Sequence, residues 1–159
     1  MGSRSKVNLA YIAGFLDGDG SLMLQIKKRK TGRRKLRFMA TICFYQDTRH
    51  EEPLYWIHEI LGIGYVSRRN DGMSELRVNG YTQVAQILKN LLPYIKFKKK
   101  QANALLESCL LLSARNIHFL TNKMLERIVE HILVIQHENY VTKKKRTKKE
   151  LYLALGLTP

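Results

Sequence analysis

The sequence predicts an α+β domain in which an antiparallel sheet packs against helices, and three observations predict it. A helical segment over 9–18 leads into two runs of apolar–polar alternation, 21–28 and 36–45. A second pair of short alternating runs meets at Asn70-Asp71-Gly72, and from 83 onward helical spacing dominates. The order is α-β-β-α-β-β-α with further C-terminal helices, each part present once. A length of 159 residues makes one domain the expectation, with 8–140 as its core and 141–159 as a basic arm and short terminal helix.

Each element has a local reason. Leu9, Ile12, Ala13 and Leu16 recur near helical spacing, Asn8 is the expected N-cap, and Gly18 and Gly20 end the helix. Over 21–28, Leu22, Leu24 and Ile26 fall on one face and Ser21, Met23, Gln25 and Lys27 on the other. Residues 30–35 turn the chain. Leu36, Phe38, Ala40, Ile42 and Phe44 then face inward, and Arg37, Met39, Thr41, Cys43 and Tyr45 outward. Pro53 suits the first turn of a helix over 53–61, closed by Gly62 and Gly64. Strands 65–69 and 75–79 form the second hairpin, with Leu76 and Val78 opposite Glu75, Arg77 and Asn79. Thr82 is the expected cap of a helix over 83–92, which Pro93 stops. Helices over 98–112 and 122–136 follow, the second capped by Thr121. The stretch 142–149 reads as an exposed arm, and Thr147 with Glu150 forms a capping box for a last short helix.

Charge narrows the function. There are 28 Lys and Arg against 13 Asp and Glu, a formal net charge of +15. The cations cluster: Lys27, Lys28, Arg29, Lys30, Arg33, Arg34, Lys35 and Arg37; Lys96, Lys98, Lys99 and Lys100; and Lys143, Lys144, Lys145, Arg146, Lys148 and Lys149. Such an imbalance favours a polyanionic partner, nucleic acid before anionic membrane, over a merely soluble basic protein. No apolar run approaches the ~20 residues that span a bilayer, so no membrane role is expected. Cys43 and Cys109 give no zinc or disulfide pattern, the histidines show no metal spacing, and no signal peptide is seen. An intracellular, reducing setting without secretion is the expectation. The outward strand positions carry long donors and acceptors, suited to base edges in a major groove, with peripheral cations taking phosphates. The candidate DNA contacts are Met23, Gln25, Lys27, Arg29, Arg37, Met39, Thr41, Cys43, Tyr45, Ser67, Arg69, Glu75 and Arg77, with Lys143 and Lys144 of the arm. Over 23–45 the outward positions include no acid, unlike an ordinary solvated face. An A-form RNA major groove is too narrow for such a ribbon.

The end of the first helix breaks two local rules. Ala10, Gly14 and Gly18 repeat at spacing four, although glycine costs about 1 kcal/mol against alanine inside a helix. Such a stripe lets another backbone come close, either a partner helix or the chain's own sheet; the two readings stand side by side. Asp17 and Asp19 sit at a helix C-terminus, whose partial negative charge disfavours carboxylates. A divalent cation reverses that penalty, and hard oxygen ligands suit Mg2+, with the Gly18 carbonyl as a further ligand. For Asp17 the plainer reading, a turn cap or a lysine pair, stands equally.

The stretch Ile12-Ala13-Gly14-Phe15-Leu16-Asp17-Gly18-Asp19-Gly20-Ser21 resembles the LAGLIDADG motif of homing endonucleases. Gly62-Ile63-Gly64-Tyr65-Val66 and Pro93-Tyr94-Ile95-Lys96-Phe97-Lys98-Lys99-Lys100-Gln101-Ala102-Asn103 match the same family. Over 8–140 the chain is similar to its single-motif, homodimeric branch encoded in group I introns. The resemblance implies an αββαββα fold whose twisted sheets form a saddle on double-stranded DNA. It implies two motif helices packed across a twofold axis through Ala10, Ala13, Gly14 and Gly18. Asp19 then binds metal, with the Gly18 carbonyl, while Asp17 supports the helix end. Gln46 matches a residue that orders active-site water, and Lys98 one that stabilises phosphate charge, although a phosphate-positioning role fits Lys98 too. His50 departs from the family's usual Arg or Lys, and the second hairpin is one residue longer. The implied activity is Mg2+-dependent hydrolysis of both strands of a long near-palindromic site, leaving short 3′ overhangs. Mn2+ is expected to substitute and Ca2+ to support binding without cleavage. The alternatives are an intron RNA maturase and an inactive DNA-binding regulator. The expected location is that of an intron-bearing genome, in a prokaryotic cytoplasm or an organelle.

Overall fold

The alternation of apolar residues becomes one four-stranded antiparallel sheet in the computed structural model, which describes residues 4–31 and 35–158. Arg33 and Arg34, with the middle of the expected 30–35 turn, lie outside the described residues. The chain runs through helix α1 (Lys6–Asp19), strands β1 (Gly20–Lys28) and β2 (Leu36–Asp47), a 3-10 turn (Thr48–His50) and helix α2 (Glu52–Leu61). Strands β3 (Tyr65–Arg68) and β4 (Met73–Asn79) follow, then α3 (Tyr81–Leu91), α4 (Lys99–Ala114), a second 3-10 turn (Ile117–Phe119), α5 (Asn122–Glu138) and α6 (Lys148–Leu155). The spatial order β1-β2-β4-β3 leaves β1 and β3 at the edges. β1 pairs with β2 from Gly20 opposite Phe44 to Lys28 opposite Leu36, and β2 pairs with β4 from Thr41 opposite Asn79 to Asp47 opposite Met73.

One face of the sheet packs on the helices. Leu22, Leu24, Ile26, Phe38, Ala40, Ile42, Phe44, Leu76 and Val78 are all buried, in one core with Ile12 and Leu16 of α1, Leu88 and Leu91 of α3, and Leu105 of α4. Burying each of these Leu, Ile, Val and Phe side chains stabilises by roughly 1.5–3 kcal/mol, so the register is strongly specified. The terminal segment joins this core. Leu151, Tyr152 and Leu157 are buried, and the basic arm is tied back where the Gln136 Nε2 donates to the Arg146 carbonyl and Gln136 Oε1 accepts from the Arg146 N–H, both at 3.1 Å.

Two caps differ from expectation. Helix α1 begins at Lys6, and its N-cap is Ser5, whose Oγ accepts from the Asn8 N–H at 3.2 Å; Asn8 lies inside the first turn. Helix α3 is entered through Gly80 at φ +101°, with no side-chain cap, so Thr82 is a first-turn residue and not the cap. Here glycine reverses the chain straight off β4, which removes the extended residue that a threonine cap requires. The other expected caps hold. Thr121 accepts from the Met124 N–H at 3.2 Å, and Thr147 and Glu150 form both halves of the capping box.

The Gly62-Ile63-Gly64 segment has a specific steric cause. Gly62 caps α2 in the left-handed region at φ +70°, and Gly64 sits at φ +100°. A Cβ on Gly64 would lie 2.7 Å from the Arg77 carbonyl oxygen and 2.9 Å from Val78 Cγ2, so the backbone passes directly against β4. Gly64→Ala should therefore destabilise the fold by about 2 kcal/mol or more. A urea midpoint unchanged from wild type would contradict this.

Candidate active site

The site is built around a buried carboxylate. Asp17, in the last turn of α1, is only 9% exposed. Its Oδ2 accepts from the backbone N–H groups of Lys96 at 2.7 Å and Phe97 at 3.2 Å, and its Oδ1 from that of Lys98 at 3.0 Å. Three consecutive amides aimed at one carboxylate make an anion nest, and they offset the charge that a helix C-terminus disfavours. The Lys98 ammonium then donates to the Asp17 carbonyl. Asp17 therefore spends its carboxylate on the 96–98 loop and supports the helix end.

Asp19, two residues on, is exposed at the last position of α1. The chain leaves it through Gly20, whose N–H donates to the Leu16 carbonyl and where a Cβ would lie 2.5 Å from Leu16 Cδ1. Lys98 is half-buried. Burial pushes its ammonium below the ordinary lysine value, while the charges of Asp17 and Asp19 push it back up. Gln46 reaches the same end of the sheet through register: Gly20 pairs with Phe44, so Gln46 lies just beyond the start of β1. Its Oε1 accepts from the Asp47 N–H at 2.9 Å. The structure thus brings the ends that carry Asp19, Lys98 and Gln46 together from three separate segments. Among the described residues no group of three His, Cys, Asp or Glu side chains could hold a metal ion by itself. Asp19 offers an exposed hard-oxygen donor, the ligand type that suits Mg2+. His50 is exposed on the 3-10 turn, next to Arg49, which pairs with Asp47 at 2.8 Å and holds that carboxyl well below its usual range.

The small-residue stripe resolves in one direction. Ala10, Gly14 and Gly18 are exposed, and a Cβ built on Gly14 or Gly18 meets nothing within 4 Å. The stripe therefore does not fit against the chain's own sheet. Ala13 is a correction: it lies beside the stripe, three residues from Ala10, but is fully buried in this chain's core and is closed to a partner helix.

On the free face of the sheet, Lys27 stands opposite Arg37, Gln25 opposite Met39, and Arg77 opposite both Cys43 and Tyr65. Lys27, Arg29, Arg37, Arg69, Lys143 and Lys144 are exposed, and Met23, Gln25, Met39, Tyr45, Ser67 and Arg77 are partly so. Three expected contacts are closed. Thr41 and Cys43 are fully buried, and Glu75 is 8% exposed. Thr41 Oγ1 donates to Asn79 Oδ1 at 2.8 Å, and Cys43 lies between Ser21 and Arg77 in the paired strands, where burial raises its thiol pKa. Both sit on the central strand β2, Thr41 between Met23 and Asn79 and Cys43 between Ser21 and Arg77. The Tyr45 hydroxyl meets Ser21 Oγ at 3.1 Å, and the Arg69 guanidinium lies 5.8 Å above the Tyr45 ring. Two positioning residues escaped sequence reasoning. Arg4 donates to the Ile60 and Leu61 carbonyls at the end of α2, and Asn139 Nδ2 donates to the Leu22 carbonyl at 3.0 Å, fastening the root of the arm to β1. Both contacts span more than 50 residues and leave no local signal.

Residues 12–110 match the family model described as LAGLIDADG endonuclease. The chain is 38% identical over 102 residues to DNA endonuclease I-CvuI of Chlorella vulgaris, and 34% identical over 103 residues to DNA endonuclease I-CreI of Chlamydomonas reinhardtii. These alignments cover 64% and 65% of this chain, and in each case 63% of the relative, so the match spans just under two thirds of either relative's length. A crystal structure of the homing endonuclease I-CvuI in complex with its target in the presence of calcium superposes with a TM-score of 0.75 at 32% identity, covering 97% of this chain and 98% of that one.

The carboxylate nest makes a stability prediction. Asp17→Asn replaces one charged acceptor atom with a donor facing the Lys96–Lys98 amides. It should cost on the order of 3 kcal/mol in chemical denaturation. A loss below 0.5 kcal/mol would contradict the nest as roughly the largest single tie between α1 and this loop.

Proposed function

This chain belongs to the LAGLIDADG endonuclease family, and from that premise we propose that it is a site-specific DNA endonuclease acting as a homodimer on a long near-palindromic target. The observation that carries this reading is the exposed Asp19 at the edge of an open small-residue helix face, with Lys98 delivered beside it by Asp17. A second copy packing Ala10, Gly14 and Gly18 against their equivalents brings a second Asp19 to the twofold axis and supplies the ligands that one chain lacks. The two sheets then form a continuous basic saddle, and the +15 charge of each chain drives a strongly salt-dependent association with the duplex.

Within each half-site the residues divide the work. Asp19 and the Gly18 carbonyl hold a divalent cation, Mg2+ or Mn2+. When bound, that cation supplies Lewis-acid assistance to phosphodiester hydrolysis. Lys98, partly shielded from water, stabilises negative charge that develops on the phosphate. Gln46 offers its carboxamide to order the attacking water. Cutting both strands leaves short 3′ overhangs. The protein works where its intron-bearing genome resides.

The test is selection of duplexes from a random pool in Ca2+, followed by transfer to Mg2+. Convergence on a near-palindrome that is then cut on both strands supports the reading. Convergence without cutting indicates a DNA-binding regulator, and enrichment of structured RNA alone indicates a maturase. Asp19→Asn should abolish cutting of the selected site while binding in Ca2+ stays within about threefold, a change below 1 kcal/mol; residual cleavage above one per cent of the wild-type rate would contradict the assignment. Gly14→Leu fills the open helix face and should give a monomer in sedimentation, whereas a dimer as tight as wild type would place the interface elsewhere.

A further inference from the structure

Glu75 is out of place on a face built to meet a polyanion. Two acids occupy outward strand positions: Asp47, at the last residue of β2 and taken up by Arg49, and Glu75, in the interior of β4. Glu75 is 8% exposed and stands opposite Tyr45 on one side and Ser67 on the other. A buried carboxylate is costly unless it is paired. Its partner is Arg77, two residues on along the same face. Arg77 Nε donates to Oε1 at 3.0 Å and Nη2 donates to Oε2 at 3.4 Å, so both carboxylate oxygens are engaged by one edge of the guanidinium. Arg69 approaches the same carboxylate only to 4.0 Å and is held instead by Asp71 at 2.7 Å.

The geometry settles which donors remain. A guanidinium has five N–H groups in a rigid plane. Glu75 takes the Nε hydrogen and one Nη2 hydrogen. The two Nη1 hydrogens and the other Nη2 hydrogen, the end of the fork, are left outside the pair. That end matches the N7 and O6 acceptors of guanine in the major groove. A free arginine on a strand must be ordered on binding and is as readily taken by a phosphate, whereas one held in plane has already lost that freedom. Arg77 keeps a quarter of its side-chain surface exposed, while both oxygens of Glu75 are occupied.

We infer that Glu75 is a positioning residue: it holds Arg77 end-on, so that each protomer demands a guanine at one base pair of its half-site, and it reads no base itself. This rests on the DNA-binding reading and deepens it. Arg69, shared between Asp71 and the Tyr45 ring, lacks such a bidentate hold and serves as the internal comparison.

The test is sequencing of Ca2+-selected duplexes bound by full-length wild type, Arg77→Ala, Glu75→Ala and Glu75→Gln. Wild type should show a symmetric pair of guanine requirements that Arg77→Ala removes. Glu75→Ala should weaken preference at that same position about tenfold, within the range of one bidentate base contact. Its affinity for unrelated duplex should rise, because an acid has left a cationic face. Glu75→Gln, nearly isosteric, guards against misfolding of the alanine variant and should fall between it and wild type. Thermal melts of each variant separate loss of fold from loss of preference. Unchanged guanine preference in a folded Glu75 variant overturns the inference. So does loss of a cytosine preference at a neighbouring position, which would mean that Glu75 reads a base directly. Failure of wild type to enrich any duplex would overturn the endonuclease reading first and this inference with it.

Discussion

The hold of one carboxylate on three consecutive backbone amides organises the functional end of this molecule. Asp17 belongs to α1 and the amides of Lys96, Phe97 and Lys98 belong to the turn between α3 and α4, some 80 residues later. Neither element is stable in this arrangement alone: a carboxylate at a helix C-terminus is disfavoured, and a turn with three inward N–H groups lacks acceptors. Together they satisfy each other. The consequence is chemical, because the next side chain on the helix is the exposed Asp19 and the residue that closes the nest is Lys98. The two acids of one short motif thus have opposite environments, Asp17 buried and occupied, Asp19 exposed.

A second constraint is open space. Most helix faces in a small domain are filled by the chain's own core or by water-facing polar groups. In α1 the face carrying Ala10, Gly14 and Gly18 has neither, whereas the opposite face, with Ile12 and Leu16, is fully buried. Glycine's cost in a helix is offset only where something needs to come close. The exposed Val7 and Tyr11 continue the uncovered side of the helix toward its N-terminus. A second motif helix is the occupant that the proposed endonuclease requires.

Much of this was legible in the sequence, and the parts that were not share a cause. Period-two alternation placed every inward residue of β1, the interior of β2 and Leu76 and Val78 correctly, because burying one face fixes register. The same parity could not say which outward residues are reachable. Thr41 and Cys43 point to the free face and are nevertheless covered, because they are short and sit in the middle of the sheet. Helix ends slipped where an alternative residue took the cap, Ser5 for Asn8 and Gly80 for Thr82. The stripe at spacing four was visible, but not where its edge lies: Ala13, three residues from Ala10, is buried in the chain's own core. Family resemblance implied that Asp17 supports the helix end; what it supports it against is a contact across 79 to 81 residues, which no local pattern encodes.

Hydrogen exchange of the Lys96, Phe97 and Lys98 amides in the free protein tests the central contact most directly. These N–H groups lie in a turn with exposed Lys96 and Phe97 side chains, so protection there comes from the Asp17 carboxylate and not from regular secondary structure. All three should exchange at least 100-fold more slowly than an unstructured chain, corresponding to a local opening free energy of about 3 kcal/mol or more. Exchange at the unprotected rate would show that the carboxylate does not hold the loop, and that Lys98 is placed at the end of α1 by some other means.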